Sequence, residues 1–484
     1  MSPQSTMIMI ALVPTLALPA ADQPLLSWLA ARGGSSSVAV ATRNNLRGLE
    51  CTRDAEVGEV LLEVPLSAVL TDAVEPQLPG VAPSWTAPLP SMVQLAIGAL
   101  LRQQAPDFAP YLSSWPAGMP ELPANLEPGD VEADAEFVAQ VSASRLWFEE
   151  QHAAAAILYA KAHPGQLFPC DLDEFRTAVQ LAGSRCLRVA CSALGRELRL
   201  LVPVVDMANH DGNTPSAIYT CAASEGDAAD AGELGCVQLR AARPLRRGDA
   251  VTISYGEHTN AHFAQFYGFV PQDNPHDAVT VSLLRLLQSL PDERVTRGSR
   301  EAMAMAAAAA GFEVSELQLH ANGPSESAML ALRAALSADG GWELAEMLEA
   351  VAMDEIDEDD LEEDDDDESA AERARLVAAV CVEMLSEAGS EADEASSDEA
   401  AAAAATGEGA GGGGVLDELR RSRVNLLATL RDNMMQASSG SGGGALAALA
   451  CLAEQRRRET TAYPHLESGF LSRLGAGGGA RAYR

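Results

Sequence analysis

The chain has 484 residues, a formal net charge of −36, and 47% hydrophobic but only 5% aromatic residues. That length supports two or three domains with their own cores, while the scarcity of aromatics predicts that some segments do not pack. The acidic excess repels phosphate backbones and anionic membranes, so neither nucleic acid nor a membrane is an expected partner. The eight cysteines form no CxxC pair and no Cys/His cluster with zinc spacing. Scattered thiols of a reducing compartment are expected, and no metal.

Met7 to Ala21 is apolar, but it has no basic start and no Arg, and Pro14 and Pro19 interrupt it. Residues 1–23 therefore read as a short extension, with a cleaved leader as the alternative. From Pro24 to Leu70 the text is β-rich. Leu25 to Ala31 supplies a turn or two of helix and Ser37 to Ala41 a strand. Arg47-Gly48-Leu49 predicts a tight turn, and Gly58 to Pro65 a turn followed by a strand that stops at proline. Helical spacing then takes over: Met92, Leu95, Ala96, Leu100 and Leu101; next Phe137, Val141, Leu146 and Phe148; then Ala153 to Ala160 and Phe175 to Ala182.

β character returns at Arg199 to His210, at Val237 to Ala241 and at Ala250 to Tyr255, the last two divided by the turn Arg246-Arg247-Gly248-Asp249. Beyond about Val279 the composition is helix-forming almost throughout, and Leu416, Leu419, Val424, Leu427 and Leu430 make an apolar stripe. Two insertions break that region. The acidic run at about 354–370 reads as a solvated loop, because like charges repel and nothing apolar is offered for burial. The Ala/Glu/Ser/Gly-rich stretch at about 388–414 reads as flexible.

Two stretches carry the chemistry. In Val204-Val205-Asp206-Met207-Ala208-Asn209-His210, three polar residues crowd the end of an apolar strand, where strands seldom place them. By itself this favours a hydrogen-bonded turn over a ligand site. In Ser254-Tyr255-Gly256, followed by Asn260 and Tyr267-Gly268-Phe269, a tyrosine closes a strand at a glycine and two aromatics follow. By itself this favours core packing.

Taken in order with Arg47-Gly48-Leu49, Gly58-Glu59, Val64-Pro65 and Ser184-Arg185, these stretches resemble the SET domain. They look most like the Rubisco lysine methyltransferase-like branch, which includes actin-histidine methyltransferases. Phe108-Ala109-Pro110-Tyr111-Leu112 and Trp115-Pro116 look like the entry to that branch's helical insert. The resemblance implies an α+β fold: a β-rich SET domain at 24–278 with a helical insert at about 85–198. A mostly α-helical region at 279–484 would follow, similar to the branch's substrate-binding domain.

It implies S-adenosylmethionine as cofactor and a catalytic Tyr255. Asn45, Arg47, Arg185, Asp206, Asn209, His210 and Tyr267 would lie against the cofactor. Asn209 and His210 would sit beside the family's threaded strand, and Arg185 would meet the cofactor carboxylate, which suits a bidentate guanidinium. Tyr255, Tyr267, Phe269 and His258 would line the substrate channel. Asn45-Leu46-Arg47 departs from the family's usual acidic residue and glycine, and His258-Thr259 from its basic residue and serine. The expected activity is lysine N-methylation of a non-histone protein by a monomer in the cytosol, with plastid or nucleus as alternative compartments. Histidine N-methylation and a non-catalytic interaction module are the competing functions.

Overall fold

A computed structural model describes residues 23–43, 46–72, 82–103, 107–116, 122–126, 135–191, 196–222, 235–281, 285, 318–325, 371, 373–382, 384–385 and 414–438. The extension at 1–22, Asn45, the acidic run and the Ala/Gly-rich stretch up to 413 lie outside these residues. The chain divides into two compact units, each interleaved in sequence. One contains Met1–Ala87, Ser91–Ala117 and Leu181–Ile253; the other contains Pro88–Pro90, Gly118–Gln180 and Ser254–Arg484.

The first unit is built on two sheets. Its strands are β1 (Ser35–Ser36), β2 (Val38–Arg43), β3 (Leu46–Cys51), β4 (Val60–Pro65), β5 (Leu70–Thr71), β6 (Cys186–Cys191), β7 (Arg196–Leu201), β8 (Asn209–His210), β9 (Ala217–Ala222), β10 (Cys236–Ala241) and β11 (Ala250–Ile253). The larger sheet runs β1-β4-β10-β9-β6-β7-β5 and the smaller β2-β3-β11-β8. Alternation along β10 buries Val237, Leu239 and Ala241, as expected of a strand with one face on the core. The helices α1 (Gln23–Ala30), α2 (Ser91–Arg102) and the single-turn α3 (Ala109–Leu112) belong to the same unit.

Three expectations need correction here. Arg47-Gly48-Leu49 is not a turn: it lies inside β3, which pairs with β2 from Val38↔Cys51 to Arg43↔Leu46. A Cβ at Gly48 would run into the Asn209 amide, so glycine stands there for close approach between strands and not for a turn. The helical stretch expected as far as 198 stops at Gly183, because β6 pairs along its whole length with β7. Asp206 sits not at a strand end but in a 3-10 turn, Val205–Met207, with β8 following it.

In the second unit, Ala135–Ala162 forms one 28-residue helix, α4. Two separate helical segments were expected, but no Pro or Gly interrupts the run. The helix α5 (Leu172–Gly183) follows in the chain. The later helix α6 (Asn260–Tyr267) is capped at both ends: Thr259 Oγ1 accepts from the His262 N–H at 3.2 Å, and Gly268 ends it in the left-handed region at φ 76°. Phe137 and Val141 of α4, Ala264 of α6 and Leu419 of α7 (Val415–Ser438) form a buried apolar cluster.

The region beyond 279 is less uniformly helical than its composition suggests. β12 (Ala278–Thr280), β13 (Gln318–His320) and β14 (Gly323–Pro324) make a small antiparallel sheet. Among the described residues, no helix is long and apolar enough to cross a membrane.

Candidate active site

The first unit gathers Arg47, Arg185, Asp206, Asn209 and His210 around the turn between β7 and β8. The backbone enters that turn through Val204 at φ 70° and ψ −46°. A β-branched residue in this region is strained, by about 1–3 kcal/mol. Backbone bonds hold the strain in place: Asp206 N–H donates to Val202 O at 3.1 Å and Met207 N–H to Val204 O at 3.0 Å.

Asp206 is buried. Its Oδ2 accepts from the Tyr111 hydroxyl at 2.9 Å and from Arg185 Nη1 at 3.3 Å, and Nη1 also donates to the Asp206 carbonyl at 3.1 Å. Burial pushes the Asp206 carboxyl up from its ordinary pKa, opposed by the Arg185 guanidinium, the Tyr111 hydroxyl and Arg47. Asp206 Oδ1 and Arg185 Nε are both buried without a hydrogen-bond partner.

The neighbouring strand end is fixed just as closely. Asn209 Nδ2 donates to the Arg47 carbonyl at 3.1 Å, and Arg47 Nη1 donates to the Ser114 carbonyl at 2.6 Å. β8 pairs in parallel with β11, placing Asn209 beside Thr252 and His210 beside Ile253.

The second unit gathers Tyr255, His258, Tyr267 and Phe269. Tyr255 stacks on Tyr267 with ring centroids 5.1 Å apart and meets the Phe269 edge at 6.5 Å. Phe263 of α6 packs against Tyr267 at 5.5 Å and Phe269 at 5.3 Å. Gly256 turns at φ 118°, and a Cβ there would press on the His258 ring. His258 stacks on His262 at 4.0 Å.

Burial pulls His258 down to about 4, against an opposing bond from the Tyr255 backbone, and pulls His262 well below its ordinary value. Both imidazoles are therefore uncharged near neutral pH. His262 was not singled out from the sequence, although its spacing of four from His258 beside a helix start was a usable signal. Tyr111 was read only as part of the insert's entry, and no local pattern reveals that its hydroxyl reaches a carboxylate 95 residues away.

No family model matches the sequence. The chain is 25% identical over 260 residues to SET domain-containing protein 4 of Mus musculus, a match covering 51% of this chain and 57% of that protein. It is 26% identical over 300 residues to the actin-histidine N-methyltransferase of Danio rerio, covering 58% and 46%. The Homo sapiens protein of that name is 25% identical over 276 residues, covering 54% and 44%. The chain thus spans about half the length of the relatives it matches.

Among solved structures, the SET domain of LSMT bound to lysine and AdoHcy superposes with a TM-score of 0.56 at 16% identity, covering 94% of this chain and 95% of that one. Rubisco LSMT bound to AdoMet gives 0.55 at 16% identity, covering 94% and 99%. The chain has the SET-domain fold, in the form found in the Rubisco lysine methyltransferase-like branch.

Proposed function

We propose that this chain is an S-adenosylmethionine-dependent protein methyltransferase, and that it methylates a lysine side chain of a non-histone protein. The observation that carries the reading is the pair of half-buried Arg185 with buried Asp206, in which Arg185 Nε and Asp206 Oδ1 are left without protein partners. Leaving such groups unmet costs about 1–3 kcal/mol each. The amino-acid end of S-adenosylmethionine supplies the complement: a carboxylate for the guanidinium and an ammonium for the carboxylate. Structures of the same fold hold AdoMet or AdoHcy, which supports the assignment.

When bound, S-adenosylmethionine would supply an activated sulfonium methyl, from which a neutral nitrogen's lone pair displaces the thioether sulfur, leaving S-adenosylhomocysteine. The remaining work falls to this chain's residues. Arg185 and Asp206 would orient the amino-acid end, with the Asn209 amide held in place by the Arg47 carbonyl. A lysine amine has a solution pKa of about 10.4, so its neutral form must be favoured. The Tyr255, Tyr267 and Phe269 rings, with uncharged His258 and His262 beside them, make a setting that disfavours an ammonium. Tyr255 is the residue assigned to turnover, through weak CH···O contact with the polarised methyl.

Histidine methylation is the second reading. It is favoured by the similarity to actin-histidine N-methyltransferases, whereas lysine is favoured by structures of this fold bound to lysine and methyl-lysine. A cytosolic monomer completes the proposal. Supporting a reducing compartment, Cys51, Cys170, Cys186, Cys221, Cys236 and Cys381 are all free thiols, and burial pushes Cys170, Cys186 and Cys381 up to about 12.

The test is transfer of a labelled methyl from S-adenosylmethionine into a cell extract, followed by mass spectrometry of the modified residue. Label on lysine is expected and label on histidine selects the second reading. Well-folded protein that neither binds the cofactor nor transfers label ends the proposal.

A further inference from the structure

Tyr111 lies on α3, at the mouth of the helical insert, and is fully buried. Its hydroxyl donates to Asp206 Oδ2 at 2.9 Å. Three further contacts fix its position. The Trp115 ring meets it edge-on with centroids 5.7 Å apart, and Ser114 Oγ donates to the Tyr111 carbonyl at 2.6 Å. Arg47 Nη1 holds the Ser114 carbonyl at 2.6 Å, tying the turn after α3 to β3. The Arg185 guanidinium lies 5.9 Å from the Trp115 ring centroid. The insert's entry thus contacts both members of the pair, Asp206 through the Tyr111 hydroxyl and Arg185 through the Trp115 ring.

The division of labour on Asp206 is specific. Oδ2 already accepts from two donors, Tyr111 and Arg185, while Oδ1 is buried and accepts none. A carboxylate whose rotamer is fixed through one oxygen presents the other in a defined direction. We propose that Tyr111 is a positioning residue: by holding Asp206 Oδ2, it directs Oδ1 to the ammonium group at the amino-acid end of S-adenosylmethionine.

This rests on the cofactor reading above. The Tyr111 phenol is suited to the part, because burial and the neighbouring carboxylate keep its pKa well above the usual tyrosine value, so it remains a donor. The charged groups acting on Asp206 are Arg185 and Arg47. Removing the Tyr111 donor therefore leaves Asp206 easier to protonate.

The experiment is calorimetric titration of the full chain with S-adenosylhomocysteine and with its analogue lacking the α-amino group. Wild-type protein prefers the amine-bearing ligand. In Tyr111→Phe that preference narrows about tenfold, the scale of one hydrogen bond to a charged group. The loss grows as pH is lowered, whereas binding of the deaminated analogue is unchanged. An unchanged preference, or equal weakening of both ligands, overturns the role of Tyr111. Asp206→Asn keeps the shape and the Tyr111 contact, so it tests the same geometry if Tyr111→Phe does not fold. It should abolish the preference, and a variant that retains it overturns the proposal. Wild-type protein that binds neither ligand instead removes the cofactor reading itself.

Discussion

The polar cluster of the first unit and the aromatic cluster of the second solve opposite electrostatic problems. Around Asp206 the fold sets a half-buried guanidinium against a buried carboxyl and satisfies them only in part: Arg185 pairs with Asp206, yet Nε and Oδ1 remain without partners. Around Tyr255 the fold buries two imidazoles and keeps them uncharged, His258 at about 4, within a nest of rings. A zwitterionic ligand end suits the first environment, and a nitrogen that must shed its proton suits the second. Burial alone therefore does not define a site. What matters is whether the buried groups retain their charge.

Arg185→Ala breaks the charged side of this comparison most severely. It strands a buried carboxylate, so a stability loss of about 3 kcal/mol is expected in denaturant titration, with cofactor affinity down at least about 100-fold by calorimetry. If that variant is as stable as wild type, the pair is not the buried charge centre described.

Acidification probes the uncharged side. The ordinary histidine value is 6.5 and folding holds His258 down at about 4, so the unfolded chain takes up its proton first as pH falls. The stability due to His258 is full above pH 6.5 and is lost between 6.5 and about 4, by about 3 kcal/mol. His262 acts in the same direction, while Glu257 and Asp277, whose carboxyls burial pushes up, oppose it in the carboxylate range. Denaturant midpoints measured from pH 7 to 5 should fall for wild type and fall less for His258→Gln. Equal slopes would mean that His258 is not held neutral.

Tyr255→Phe separates the two clusters. Turnover should drop about 100-fold, equivalent to about 2.7 kcal/mol, with cofactor Kd unchanged within about twofold. Normal turnover would remove Tyr255 from the mechanism. The smallest effect is expected from Gly48→Ala, where the new methyl must displace the Asn209 amide from the Arg47 carbonyl. A loss of about 1–2 kcal/mol is expected in thermal unfolding, and no loss would mean that Asn209 has room to move.

Legibility followed range. Helices with a clear apolar period, such as α2 and α5, could be read from text alone, since their determinants lie within a few residues. β6 and β9 escaped because strand pairing is settled by distant partners: Val237↔Cys221 on one side of β9 and Cys191↔Cys221 on the other. Gly48 was read as a turn because a lone glycine does not say which of its uses applies. The predicted site residues Arg47, Arg185, Asp206, Asn209 and His210 do gather around one turn, and Tyr255, His258, Tyr267 and Phe269 around one ring cluster. Of their partners, His262 left a local signal in its spacing from His258, whereas nothing local pointed to the contact of Tyr111 with Asp206.

The linear text carried the alternation of β and helical stretches, the order of the site motifs and the residue types available for chemistry, because these lie in short-range pattern; the resemblance of those motifs implied the α+β SET fold. The tertiary structure alone decided which oxygen of Asp206 is engaged, which imidazoles lose their charge and why a glycine stands beneath Asn209. Each of those outcomes depends on burial and on atoms brought within a few ångströms from far along the chain, and neither quantity exists until the chain has folded.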